Sequence, residues 1–351
     1  MIKWKMTEHL ENGDMIYETI VGNRPDDLIV SKGEMVTDSL KQRLSLRGIK
    51  WVSVWENSIN IEQLDPVFDQ QQIKKFESDL ESITKKILDD GRIDVEATED
   101  IASDITNSIV TNYGEYLVPS LAQLKNFDEY TFTHQVNVSI ISTMIAADFF
   151  SVDSPQLLKI ATGGLLHDMG KLWIPPEILL SREKLADVEF NIIKKHPKYG
   201  HSIATYSGID DETILNCILN HHERFDGKGY CSQLMGEDIP LVGRIMMVAD
   251  VYDALTTVRP YKSAWTPYST VSYIIKESKK MFDPHVVNAF LKMFGIYPVG
   301  TRLRLSTGDV ATVIGVKRGS ISRPVVSIEN EREKIALDLN EEKKIKIEKV
   351  I

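Results

Sequence analysis

Residues 120–297 carry one apolar helical run after another, and each begins or ends near a histidine or an aspartate. Leu157, Leu158, Ile160, Ala161, Leu165 and Leu166 lead into His167-Asp168. Ile214, Leu215, Ile218 and Leu219 lead into His221-His222, and Ile245, Met246, Val248 and Ala249 into Asp250. His134 stands ahead of the apolar face of Ile140, Ile141, Met144 and Ile145. Spacing of three and four residues means helices with one face to bury. Packed helices hold the groups at their ends rigidly, as a metal site requires. The segment therefore reads as a helical bundle with its polar chemistry gathered at helix ends.

The residue types say which chemistry. Of the eight histidines in the chain, His134, His167, His196, His221 and His222 fall within about a third of its length. Imidazole combined with the carboxylates of Asp168 and Asp250 suits iron, manganese, cobalt, nickel or zinc. These candidates exceed what one ion needs. The count points to at least two metals, and paired metals are a device for phosphoester hydrolysis.

Each position also has a plainer reading. Gly170 reads as the stop of the helix that carries His167, and His196-Pro197 as a helix terminus. His201 reads as an ordinary surface or core histidine. Two adjacent imidazoles at 221–222 are harder to place, because both need partners and they project about 100° apart on a helix. Asp250 in an apolar helix is costly to bury unless something nearby is positive. Asp253, one turn on, reads first as a helix-face charge, with a partner that backs a metal ligand as the alternative. Lys171 lies one turn from Asp168, and 259–262 (Arg-Pro-Tyr-Lys) offers two cations and a ring just past the Asp250 helix. Beside metals these would suit a phosphate and a purine face.

At 351 residues the chain has room for two or three domains. Residues 1–57 read as a small β-rich module, with apolar alternations over 15–21, 28–30 and 49–55 and one helix over 37–46 capped by Thr37 or Asp38. Residues 58–119 form a helical connector: Phe76, Leu80, Ile83 and Ile87 mark one helix ending at Gly91, and a second runs over about 95–113. Residues 120–297 are the helical domain. Residues 298–351 read as a small β-barrel-like module, with short runs over 303–305, 310–316, 325–328 and 335–337. The net charge of −10 argues against binding a DNA backbone, while a small anion can still find a local cationic pocket. No apolar run approaches the roughly 20 residues of a membrane span, and no signal-peptide core is evident. With Cys217 and Cys231 the only cysteines, a reducing compartment and a cytoplasmic enzyme are expected.

Taken together, YTFTH (130–134), LLHDMGKLWIPPEIL (165–179), HPKYG (196–200), HHERFDGKGY (221–230), RIMMVADVYDALT (244–256), RPYK (259–262) and FDPHVV (282–287) resemble the HD-GYP family of HD-superfamily phosphohydrolases. The blocks occur in order over about half the chain. The resemblance implies an HD-type bundle, mainly α, carrying a dinuclear metal site between small β-rich modules. It implies a phosphodiesterase that opens cyclic di-GMP to linear pGpG, and on to GMP in some members, by a hydroxide bridging two metals. By position, His134, His167, Asp168 and Asp250 would hold one metal and His196, His221 and His222 the other, with Asp168 bridging. Asp168 and Lys171 would serve catalysis, and Lys171, Asp226, Tyr230, Arg259 and Lys262 would contact substrate. Iron or manganese is expected first, with zinc, nickel or cobalt as alternatives. A GGDEF-type cyclase or another signalling protein is the partner class implied. The helices over 66–113 can serve a homodimer or packing within one chain.

Two departures stand out. The family signature ends Gly-Tyr-Pro, and Cys231 follows Tyr230 here. Proline stiffens a loop, so the substitution predicts a looser one. Members with three metals carry a glutamate four residues before the first ligand histidine; that place is Tyr130, with Glu129 one step off, so two metals are expected. The alternatives are a catalytically weak module that binds cyclic di-GMP or docks a partner, and a hydrolase of another cyclic dinucleotide.

Overall fold

The computed structural model describes residues 2–22, 27–55, 67–68, 70–111, 116–117, 130–151, 154–181, 185–257, 264–329 and 334–351. The chain divides into two compact units, Met1–Asp65 with Tyr297–Ile351, and Pro66–Ile296. This grouping differs from the four segments read on the sequence, because the two ends of the chain share one unit.

In that β-rich unit Ile2–Met6 and Met15–Ile16 flank Trp51–Trp55 in an antiparallel sheet, with Met15 opposite Trp55. Ile20–Val21 pairs with Leu28–Val30. Helix α1 (Asp38–Leu46) starts at Thr37, whose hydroxyl accepts from the Leu40 N–H at 3.2 Å. The C-terminal strands follow the order Lys334–Asp338, Val325–Glu329, Val310–Lys317, Arg302–Leu305, Ile347–Val350, all antiparallel. Met15 and Trp55 pack among Leu303, Leu305, Val313, Val326, Ile328 and Leu337, so N-terminal residues complete the C-terminal core. Such pairing across about 250 residues leaves no local trace in the sequence.

The second unit is helical: α2 (Gln70–Asp90), α3 (Val95–Thr111), α4 (Tyr130–Ala146), α5 (Pro155–Leu166), α6 (Pro176–Leu179), α7 (Asp187–Ile193), α8 (His196–Tyr206), α9 (Glu212–Asn220), α10 (Leu241–Thr256), α11 (Pro267–Lys276) and α12 (Pro284–Phe294). The starts are encoded locally. Ser154, Asp211, Thr266 and Asp283 each cap with an oxygen that accepts from an early N–H, and proline opens α5, α11 and α12. Gly91 ends α2 at φ +69°, a conformation glycine adopts without strain.

Helix α5 is the axis of the unit. Leu157, Ile160, Ala161, Thr162, Gly163, Gly164, Leu165 and Leu166 are all buried; each large apolar side chain contributes about 1.5–3 kcal/mol. A Cβ at Gly164 would fall into Ser139 of α4, and one at Gly163 into Cys217 of α9. Bare glycines thus bring α4 and α9 onto α5, and the Ser139 hydroxyl donates to the Ala161 carbonyl at 2.8 Å. His134, His167 and His221 ride on these three helices. No helix among the described residues is long and apolar enough to cross a membrane.

Candidate metal centre

The seven ligand candidates come together in two groups, His134 with His167 and Asp250, and Asp168 with His196, His221 and His222. Asp168 faces both. Its Oδ2 lies 3.6 Å from His134 Nε2 and 3.5 Å from His167 Nε2. Its Oδ1 lies 3.2 Å from His196 Nε2 and 3.7 Å from His221 Nε2. Asp250 is 3.3 Å from His134 Nε2 and 3.8 Å from His222 Nδ1.

Helix ends orient the rings. His167 caps the C-terminus of α5 and its Nδ1 donates to the Gly164 carbonyl at 2.8 Å. His221 does the same at the end of α9 with Ile218, and His196 uses Ile193, in the last turn of α7, both at 2.8 Å. The last carbonyls of a helix have no partner within it, so each can accept a ring proton and turn the bare Nε2 inward. The consequence is that His196 Nε2 and His221 Nε2 face each other at 3.1 Å. In neutral rings with their protons on Nδ1, that contact opposes two lone pairs. His167 Nε2 and Asp168 Oδ1 are also buried without a hydrogen-bond partner. Such groups are costly unless a cation lies between them, so the donor set fits divalent metal.

Burial dominates the electrostatics. It pushes His222 down to about 3 and His221 well below its usual range, where neighbouring imidazoles add to the effect. His167 is likewise lowered, chiefly by burial. Neutral imidazole is the form that binds metal. Burial opposes the charge on Asp168, but Lys171 and the surrounding imidazoles outweigh it and hold the carboxyl well below the usual range. His134 is the exception: burial lowers it, and the Asp250 and Asp253 carboxylates overcome that and raise it to about 9.

Gly170 is a packing residue. A Cβ there would enter the His196 carbonyl and crowd the Gly200 N–H, so its absence lets α8 close on the turn after Asp168. The sequence reading of a helix stop misses this, since the contact is with a distant segment. Asp253 is also corrected: it is buried and bonded to His134 Nδ1 at 2.7 Å, not a solvated helix-face charge. His201 lies half-buried outside both ligand groups.

Around the cluster, Lys171 pairs with Asp168 Oδ2 and remains partly exposed. The Tyr230 ring lies 4.7 Å from that of His222, tilted by 32°. Asp226 accepts from Arg224 Nε and Nη2 at 3.0 and 2.8 Å and from the Lys228 N–H. Arg259, Lys262 and Glu129 lie outside the described residues, as does the side chain of Tyr130. Glu223, passed over on the sequence, is buried and accepts from the N–H groups of Ser232 and Gln233 at 2.5 and 3.1 Å. The loop after Cys231 is therefore tied down by a carboxylate, where its missing proline predicts looseness. The hint was a glutamate placed directly after the histidine pair.

A helical bundle with a His/Asp cluster of this kind defines an HD domain, and residues 120–286 match that family's model, described as HD domain. The chain is 36% identical over 236 residues to the cyclic di-GMP phosphodiesterase PA4108 of Pseudomonas aeruginosa, covering 67% of this chain and 56% of that one. It is 40% identical over 151 residues to the cyclic di-GMP phosphodiesterase response regulator RpfG of Xanthomonas campestris, covering 42% of this chain and 39% of that one. The solved structure of Bd1817, an HDG"Y"P protein from Bdellovibrio bacteriovorus, covers 83% of this chain and 98% of its own with a TM-score of 0.51 at 17% identity, a likeness of fold. By these matches residues 120–286 are an HD domain, and the chain has the fold of an HD-GYP protein. It spans about half the length or less of these two curated relatives.

Proposed function

We propose that this chain is a metal-dependent phosphodiesterase that opens cyclic di-GMP to linear pGpG. Two divalent transition ions, iron or manganese first, are held by His134, His167, Asp168 and Asp250 on one side and by Asp168, His196, His221 and His222 on the other. The observation that carries the reading is the opposed Nε2 pair of His196 and His221, 3.1 Å apart, with both Nδ1 atoms committed to carbonyls. The substrate follows from relatives that are named cyclic di-GMP phosphodiesterases.

Bound there, the ions would lower the pKa of a water and neutralise charge on the phosphate. The chain's own residues supply the rest. Lys171, at the edge of the cluster, turns a cation toward an incoming non-bridging oxygen and offsets the charge that grows there. Tyr230 presents a flat ring beside His222 for a purine. Burial, with Asp250 and Asp168 nearby, raises its phenol, so it keeps its proton and can donate. Asp226, gripped by Arg224, shapes the loop that carries Tyr230. The family resemblance adds Arg259 and Lys262, outside the described residues, as further phosphate contacts.

Iron- or manganese-loaded protein incubated with cyclic di-GMP and resolved by chromatography tests the reading. The expected product is pGpG. Asp168→Ala should lose metal and cut turnover by about 10³-fold or more. Intact dinucleotide at full metal occupancy would instead mark a binding or docking module. Retained turnover with bound metal in Asp168→Ala would overturn the ligand assignment.

A further inference from the structure

Three of the inward-facing histidines take their Nδ1 partner from the backbone of a helix end, and His134 does not. It is the fifth residue of α4, near the N-terminus, where carbonyls run into the helix's own ladder and none is spare. Its partner comes from another helix. Asp253 Oδ2 lies 2.7 Å from His134 Nδ1, while Asp253 Oδ1 accepts from Asn137 Nδ2 at 2.6 Å and from the Thr257 hydroxyl at 3.2 Å. The carboxylate is itself buried and triply held, so it cannot swing away. One turn earlier on α10, Asp250 reaches the other nitrogen of the same ring, Nε2, at 3.3 Å. Helix α10 therefore grips His134 from both sides, and only one of these carboxylates is free to meet a metal.

We infer that Asp253 is a positioning residue for one of the two metals alone. Acting through His134, it fixes the Nδ1–H tautomer, aims Nε2 into the His134–His167–Asp250 group, and lends that ring a negative charge no backbone carbonyl supplies. In the Asp168–His196–His221–His222 group two rings rest on backbone carbonyls, and His222 Nδ1 meets only Asp250, at 3.8 Å, beyond hydrogen-bond reach and itself a candidate ligand of the other group. The two halves are therefore unlike, and the half backed by Asp253 depends on it. This rests on the metal reading proposed above, but not on the substrate.

Metal-free protein titrated with Mn²⁺ by calorimetry, followed by metal analysis, tests it. Wild type should take up two equivalents in resolvable steps. Asp253→Ala should weaken one step by roughly 10–100-fold and leave the other near its wild-type value. Asp253→Asn keeps an oxygen to accept the ring proton but not the charge, and should recover part of that loss. Long-range ¹H–¹⁵N spectra of the metal-free protein recorded at about pH 10, above the raised His134 value where the ring is neutral, should report His134 as the Nδ1–H tautomer in wild type and Asp253→Asn, and a mixture in Asp253→Ala. Asp253→Asn also guards against a folding defect, since its shape is conserved. Equal weakening of both steps, or of neither, would overturn the inference while leaving a two-metal hydrolase intact. A wild-type protein that binds no Mn²⁺ or other divalent ion would remove both readings together.

Discussion

In the β-rich unit Arg323 donates to the carbonyls of Leu339, Glu342 and Ile345, at 2.6, 3.1 and 2.8 Å, and Lys32 pairs with Asp309 at 2.8 Å. In the helical unit Asp168, His167, His196 and His221 are gathered with their lone pairs turned toward one another. Both units leave some buried polar atoms without partners. In the first these are scattered and uncharged, the Trp55 indole and the hydroxyls of Thr301 and Ser327. The second also has scattered ones, on Gln135, Asn137, Glu223 and Arg244, but there His167 Nε2 and Asp168 Oδ1 converge on one place. Isolated orphans cost a little stability, whereas convergent ones of a single kind mark where a cation belongs. Function is legible here as polar groups that the fold brings together and does not satisfy.

If the units differ in this way, damage to each should read out differently. Trp55→Ala removes a buried indole from the shared β core and should cost about 3–5 kcal/mol of that unit's stability. Metal uptake by the helical unit should be unchanged; loss of metal in this variant would break the comparison. Gly170→Ala has the opposite signature. Its methyl enters the His196 carbonyl, and overpacking of this sort costs about 1–3 kcal/mol. Metal affinity should fall with the melting temperature, because the strain lies on a ligand. Unaltered Mn²⁺ binding would show that the Gly170 contact does not position His196.

The third contrast is in pH. His222 is held at about 3 against an ordinary 6.5, so its contribution to the metal-free fold is whole above pH 6.5 and is lost as pH falls toward 3. His134 is raised to about 9, so its contribution is whole below pH 6.5 and is lost as pH rises through 9. Thermal melts of metal-free protein should therefore peak near pH 6.5, and His222→Ala should flatten the acid side. A melting temperature that keeps climbing from pH 6.5 to 4 would show that His222 is not held neutral by the fold.

Much of this was visible along the chain because its causes are local. The three- and four-residue period laid out α5, α9 and α10, Thr37 is a cap that acts within one turn, and the seven ligand candidates are named by residue type alone. Strand Ile2–Met6 escaped although its apolar and lysine positions alternate, and Ile347–Val350 escaped because it is short and charged. Glu223 escaped, and the favoured helix-face reading of Asp253 failed against its alternative, because nothing near them in sequence shows what they bond.

The sequence by itself determined the helices, their caps and the chemistry of the ligands, since each depends on neighbours within a turn or two. Only the tertiary structure decided that Gly163, Gly164 and Gly170 are contact points, that three rings borrow helix-end carbonyls while His134 borrows Asp253, and that residues 15 and 55 finish a core begun at 303. Those outcomes depend on which distant surfaces meet. Close packing of whole elements settles that, and local periodicity does not record it.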